Sequence, residues 1–269
     1  MSKNRGQAPT TIPTHTWPSR WGWVLALVGG VLAYIAVLEV MLTTDNPNFF
    51  PSLLLIGSVT VPSAALLFAS GGRRGPIAPV GALVLVAIVG GVIGTLTAGV
   101  LEYDTLRRLS FLPMLAVGLI EEGAKLIVPA LLLLLYRPAR GWAGVAVGVA
   151  SATGFATLET MGYGFVTLLA SQGNLAAVDV TLLLRGLLSP ACHIAWTGVT
   201  AAMLWRWRTG SASLLHFVGA YLGAVVLHAV WDSTVSVTVH LAVAVVSAAA
   251  LLWFIHAARR AGSLTAPTT

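Results

Sequence analysis

Eight apolar runs, each long enough to cross a lipid bilayer, follow one another along the chain of 269 residues. A transmembrane helix needs about 20 predominantly apolar residues, so runs of this length and spacing leave little sequence for a soluble domain. The runs cover residues 21–42, 50–69, 77–100, 112–136, 141–170, 180–205, 212–234 and 237–256. The pattern predicts an all-α, polytopic membrane protein with about eight transmembrane helices. The division between the last two runs is the weakest of these boundaries.

The composition agrees with this prediction. Charged residues make up 9% of the chain, whereas a soluble globular domain carries about 25%. Such a chain cannot solvate a soluble surface, which excludes a soluble enzyme, a disordered protein and a nucleic-acid-binding module. The single cysteine, Cys192, also excludes a disulfide framework and a cysteine-based zinc cluster.

The basic residues define a topology. Cytoplasmic loops of membrane proteins are enriched in Lys and Arg, and a cytoplasmic N-terminus would put 11 of the 15 basic residues on that side. These are Lys3, Arg5, Arg20, Arg73, Arg74, Arg137, Arg140, Arg206, Arg208, Arg259 and Arg260. We therefore predict a plasma-membrane protein with both termini in the cytoplasm, with tails at 1–20 and 257–269 and a transmembrane domain at 21–256. The formal charge of +6 then reflects topology and does not indicate a nucleic-acid partner.

Ionisable residues inside the apolar runs are the second informative feature. A charged side chain at the centre of a bilayer costs at least about 2.5–3.5 kcal/mol on insertion scales, and such residues usually mark a functional site. The segment from Glu102 to Leu109, by contrast, is expected to lie as an amphipathic loop on the outer surface. The intramembrane set comprises Glu121, Glu122, Lys125, Glu159, Arg185, His193, His228 and Asp232.

Spacing and depth suggest that these groups form one site. Glu121 and Lys125 are four residues apart, as are His228 and Asp232, so each pair shares a helix face. Adjacent carboxylates in a low dielectric do not both ionise readily, which suits one of them to act as a general base. At 1.5 Å per residue, four runs place polar groups in one layer between the midplane and the outer half of the membrane.

The backbone around this layer is suited to a cavity. Gly154, Gly162 and Gly164 flank Glu159, and small residues allow helices to approach closely. Pro190 is expected to kink its helix because it removes a backbone hydrogen bond.

The four motifs that carry these residues resemble those of the PrsW family of intramembrane proteases, which is similar to the CAAX-protease and bacteriocin-processing (CPBP) superfamily. The resemblance covers residues 112–236, about half of the chain. Its motifs are Glu121-Glu122-x-x-Lys125, Phe155-x-x-x-Glu159, Arg185 with His193-x-x-Trp196-Thr197, and His228-x-x-Trp231-Asp232.

The resemblance implies an intramembrane endopeptidase that cuts a membrane-anchored protein near its extracytoplasmic side, as in site-1 cleavage of an anti-sigma factor. It also assigns roles. Glu121 would activate water with support from Glu122, and His228 with Asp232 would bind water or stabilise the oxyanion. His193 would supply a second imidazole and Glu159 a further carboxylate, with Lys125 and Arg185 in support. The prenyl-protein branch of the superfamily has a histidine where this chain has Glu159, which argues against CAAX processing.

Two mechanisms remain open on the sequence. The family name implies a metalloprotease, and His193, His228 and Glu159 could hold a divalent metal such as zinc. The chain lacks a His-Glu-x-x-His pair, and a metal-free, glutamate-dependent hydrolysis, which we slightly prefer, needs only the same groups. A proton-coupled carrier and a non-catalytic membrane scaffold are the alternative functions. We see no inverted repeat of the kind that many transporters contain.

Overall fold

A computed structural model describes residues 21–71, 79–106, 113–135, 143–234 and 236–264. Nearly all of these residues are helical, and they include no β-strand. The α-helices are α1 (Gly22–Thr44), α2 (Phe50–Ser70), α3 (Val80–Leu106), α4 (Pro113–Leu135), α5 (Ala143–Ala170), α6 (Leu175–Leu188), α7 (His193–Arg208), α8 (Leu214–Asp232) and α9 (Val237–Leu264). Short 3-10 helices at Pro47–Phe49 and Ser189–Ala191 precede α2 and α7.

The described chain contains six segments that are long and apolar enough to cross a membrane. They are Gly22–Thr44, Pro47–Ser70, Val80–Thr105, Leu175–Arg208, Leu214–Asp232 and Val237–Ala261. The two other long helices are α4, which carries three charged residues in its middle, and α5, which is rich in glycine, alanine and threonine. The chain is therefore an all-α, multi-pass membrane protein. A total of eight spans, with both termini in the cytoplasm, stays a prediction.

The sixth apolar run is broken. We expected a kink at Pro190, and the structure has a complete interruption: α6 ends at Leu188, a 3-10 turn covers Ser189–Ala191, and α7 begins at His193. Proline lacks the N–H that a continuous helix would need, so the break occurs where the sequence removes a donor. The last two apolar runs, in contrast, form the separate helices α8 and α9.

Two helices extend beyond their apolar runs. The residues Glu102, Tyr103 and Asp104, which we expected in a surface loop, belong to the last turns of α3. α9 continues to Leu264, so the segment predicted as a tail from residue 257 begins as helix. Arg259 in that extension donates hydrogen bonds to the carbonyl oxygens of Gly71 and Phe68, which stabilises the end of α2 against α9. Of the predicted loop and tail bases, Lys3, Arg5, Arg20, Arg73, Arg74, Arg107, Arg108, Arg137 and Arg140 lie outside the described residues.

α5 is the central helix and packs against α2, α3, α6 and α7. Its small side chains make this possible: a Cβ atom at Gly148 would overlap the carbonyl oxygen of Thr197 in α7, and one at Gly154 would overlap that of Ala87 in α3. Small residues permit such close helix contacts in membranes. The tight packing brings α4, α5, α7 and α8 into contact around one buried centre.

Candidate active site

α4 carries the middle of the centre. Glu121, Glu122 and Lys125 are all buried, and Lys125 and Glu122 are 0% exposed. The Lys125 ammonium lies 3.0 Å from Glu121 Oε2 and 2.8 Å from Glu122 Oε1. The spacing in the sequence predicted the contact with Glu121, and the structure adds the second one, because residues three and four apart lie on the same side of a helix. Lys125 therefore contacts both glutamates, although its single charge balances only one of them.

α8 contributes His228, which is 1% exposed. Its Nδ1 lies 2.9 Å from Glu122 Oε1. A carboxylate only accepts, so Nδ1 carries a proton and donates it to Glu122. The other ring nitrogen, Nε2, lies 3.1 Å from Asp232 Oδ2 and 3.6 Å from Glu121 Oε2. Glu122 thus orients the imidazole so that Nε2 points toward Glu121.

α7 and α5 supply the other side of the centre. His193 Nδ1 lies 2.8 Å from Lys125 Nζ and must accept from it, because an ammonium has no lone pair. The proton of a neutral His193 ring consequently resides on Nε2, which lies 3.1 Å from Glu159 Oε2. Glu159 Oε1 in turn lies 2.9 Å from Arg185 Nη2, and the Arg185 guanidinium stacks on Tyr163 at 3.6 Å from the ring centre.

All eight ionisable residues singled out in the sequence are therefore linked in one chain of contacts from Arg185 to Asp232. The two ends, Arg185 and Asp232, are partly exposed, whereas the middle is buried. The structure shows that α4, α5, α7 and α8 converge on this centre. The catalytic roles of these residues remain predictions.

Aromatic and hydroxyl side chains enclose the centre. The Phe155 ring centre lies 4.4 Å from Lys125 Nζ, a cation–π distance. Trp196 stacks on His228 with ring centres 5.1 Å apart, and the Thr197 hydroxyl donates to Glu122 Oε2 over 3.3 Å. Cys192 is buried in an apolar cluster with Trp196, as expected of a small hydrophobic residue. This enclosure strengthens the electrostatic contacts within it.

Glu102 is a nearby acidic residue that the sequence analysis placed in an amphipathic loop on the outer surface. It lies in α3, and its Oε1 is buried with no hydrogen-bond partner among the described residues. It interacts electrostatically with Glu121, Glu159, Lys125 and His228. The available signal was helical continuity: Glu102 follows an apolar run by two residues, with no glycine or proline between them.

One group has the residue types that a divalent cation takes, although the cation would have to displace the Lys125 ammonium from His193 Nδ1 and Glu121 Oε2. Glu121, His193 and His228 each offer one ligand atom, and these atoms lie within 4.8 Å of one another. The sequence suggested Glu159 with the same two histidines, and that set stays a prediction beside this one. Glu121 Oε2 is buried and, apart from the Lys125 ammonium, has no hydrogen-bond partner among the described residues. The Glu122 carboxylate orients His228 as the outer partners of metal-binding histidines commonly do.

A buried set of carboxylates and histidines within a bundle of apolar helices has the residue types that a membrane-embedded hydrolase uses. The family model described as PrsW family intramembrane metalloprotease matches residues 78–258, which is more than half of the chain. The chain belongs to the PrsW family and is an intramembrane protease. No curated protein and no solved structure matches it significantly. The family assignment does not favour the carrier alternative.

Proposed function

We propose that this protein hydrolyses a peptide bond in a membrane-anchored protein, near the extracytoplasmic side of the plasma membrane. The observation that carries the proposal is the buried contact of Glu121 with Lys125 and the two histidines. Peptide hydrolysis needs a base for water, stabilisation of the oxyanion and a proton for the leaving amine. The centre contains groups for each of these tasks.

Glu121 is the proposed base. Its Oε2 lies 3.0 Å from the Lys125 ammonium and has no other hydrogen-bond partner among the described residues, so it can accept a proton from a water molecule and then pass it to the leaving amine. Glu122 has a different task, because Lys125, His228 and Thr197 already occupy its two oxygens. Glu122 orients these groups and does not react.

His228 and Asp232 lie at one end of the centre, where the Asp232 side chain is partly exposed. A protonated Nε2 of His228 can donate a hydrogen bond to the oxyanion, and Asp232, 3.1 Å away, would stabilise that protonated ring. His193 and Glu159 form the corresponding pair on the other side, with Arg185 holding the second oxygen of Glu159. In the alternative, metal-dependent mechanism, Glu121 and neutral His193 and His228 would instead be ligands of a divalent cation, and that cation would supply the Lewis acid that polarises water or the scissile carbonyl.

The substrate class follows from the location of the centre and from the family. A site inside the bilayer is reached by a chain that is itself anchored in the membrane. The inferred orientation, with both termini cytoplasmic, puts the centre toward the outer half of the membrane. Site-1 cleavage of an anti-sigma factor is the reaction that fits both points.

The test is Glu121→Gln in purified protein with a membrane-anchored peptide substrate. We expect cleavage to fall at least about 1,000-fold, because the amide cannot take a proton. Glu39→Gln is the matched control, since Glu39 is an exposed acidic residue near the end of α1. Undiminished cleavage by a correctly folded Glu121→Gln variant would refute the assignment.

A further inference from the structure

Ser247 is a buried polar residue of α9, a helix that contributes none of the ionisable residues of the active centre. Its side chain is 2% exposed. The Ser247 Oγ accepts a hydrogen bond of 2.8 Å from Trp196 Nε1 in α7. A buried indole N–H needs such an acceptor, and this bond connects α9 to the residue that covers the catalytic centre.

Trp196 lies directly against His228. The two rings are nearly parallel, with an interplanar angle of 29° and ring centres 5.1 Å apart. His228 must keep one orientation about its ring axis, because Nδ1 contacts Glu122 while Nε2 contacts Asp232. A rotated ring would lose both contacts together. The flat face of Trp196, which packs against the imidazole, restricts this rotation.

The indole also borders a cavity. A cavity of about 140 Å³ lies between α7, α8 and α9, and Trp196 and Ser247 form part of its wall. Packing around the indole is therefore incomplete at this wall. The hydrogen bond to Ser247 is the directional contact that keeps the ring against His228.

We propose that Ser247 is a positioning residue for the His228 imidazole and acts through the indole of Trp196. The inference rests on the proposed function, because its first readout is peptide hydrolysis. Among the described residues Ser247 hydrogen-bonds to Trp196 and not to the ionisable groups of the centre, so its effect passes through Trp196 to His228.

The first measurement compares kcat and KM for Ser247→Ala. We expect kcat to fall about 10-fold, the usual scale for residues that orient a reactive histidine, with KM unchanged. Ser247→Thr keeps the hydroxyl, and the adjacent cavity has room for its methyl group, so it should restore kcat. Ser58→Ala is the matched control: Ser58 is equally buried but donates only to Leu54 of its own helix, and its loss should leave kcat unaltered.

A double-mutant cycle separates positioning from general destabilisation. Trp196→Phe deletes the same hydrogen bond from the other side, so Ser247→Ala should have no further effect on kcat in that background. The indole ¹⁵N–¹H resonance of Trp196, assigned by its loss in Trp196→Phe, should shift in Ser247→Ala and not in Ser58→Ala.

Equal loss of kcat from Ser247→Ala in both backgrounds would overturn this proposal and leave the proposed function intact. An unshifted Trp196 resonance in Ser247→Ala would also overturn it. Cleavage that survives Glu121→Gln would overturn the proposed function and, with it, the inference that rests on it.

Discussion

Lys125 is the residue whose removal tests the electrostatic design of the centre most directly. It is completely buried, and its ammonium makes three polar contacts, with Glu121, Glu122 and His193. Replacement by Met keeps the length of the side chain and removes the charge. Two buried carboxylates then lose their shared cation, and His193 Nδ1 loses its donor.

Removing one partner of a buried ion pair destabilises a protein by about 3–5 kcal/mol, because the other charge is left uncompensated. We expect Lys125→Met to lie in this range. Adding Glu122→Gln removes one of the two stranded charges, so the double variant should regain about half of the loss. It should nevertheless remain inactive, since His228 Nδ1 would now lose its charged acceptor while His193 Nδ1 still lacks its donor.

The assay is reversible unfolding in mixed micelles with increasing SDS, followed by tryptophan fluorescence, with cleavage measured on the same samples. Arg185→Met is the comparison, because Arg185 is partly exposed and its ion pair with Glu159 should contribute only about 1 kcal/mol or less. A Lys125→Met variant no less stable than Arg185→Met would refute the reasoning. So would a double variant less stable than the single one.

Three further outcomes are expected. Asp232→Asn should lower cleavage about 10-fold through its contact with His228 without loss of stability, as unfolding assays would show. Gly154→Val should destabilise the protein by about 1–3 kcal/mol, since its side chain would overlap the carbonyl of Ala87, whereas Gly162→Val, which faces open space, should be neutral. Chelation, with metal content measured alongside, separates the two mechanisms: a loss of cleavage that zinc restores would assign water activation to a bound cation. Activity that survives complete metal removal would assign water activation to Glu121 alone.

The ionisable set could be found from the sequence because charge is rare in the apolar runs. The four-residue spacings of Glu121 with Lys125 and of His228 with Asp232 then predicted two contacts that the structure contains. These are local contacts, which helix geometry alone determines. Depth along each helix also predicted that the groups share a layer.

The contacts between helices could not be obtained in this way. Depth does not give the rotation of a helix about its axis, so the contact of Lys125 with His193 and that of Glu122 with His228 required the folded structure. The contact of Ser247 with Trp196 is even harder to predict from the sequence. It is separated from Trp196 by 51 positions, and a serine in an apolar helix gives no signal of its partner.

The break at Pro190 shows how backbone chemistry builds the centre. The segment from α6 to α7 spans 34 residues, and as one helix it would be about 51 Å long, far beyond the roughly 30 Å of a bilayer core. In such a helix Arg185 and His193 would stand about 12 Å apart along the axis. In the structure both contact the carboxylate of Glu159, Arg185 at Oε1 and His193 at Oε2. The interruption therefore allows the Glu159 carboxylate to bind the guanidinium of Arg185 from α6 while it orients the imidazole of His193 from α7.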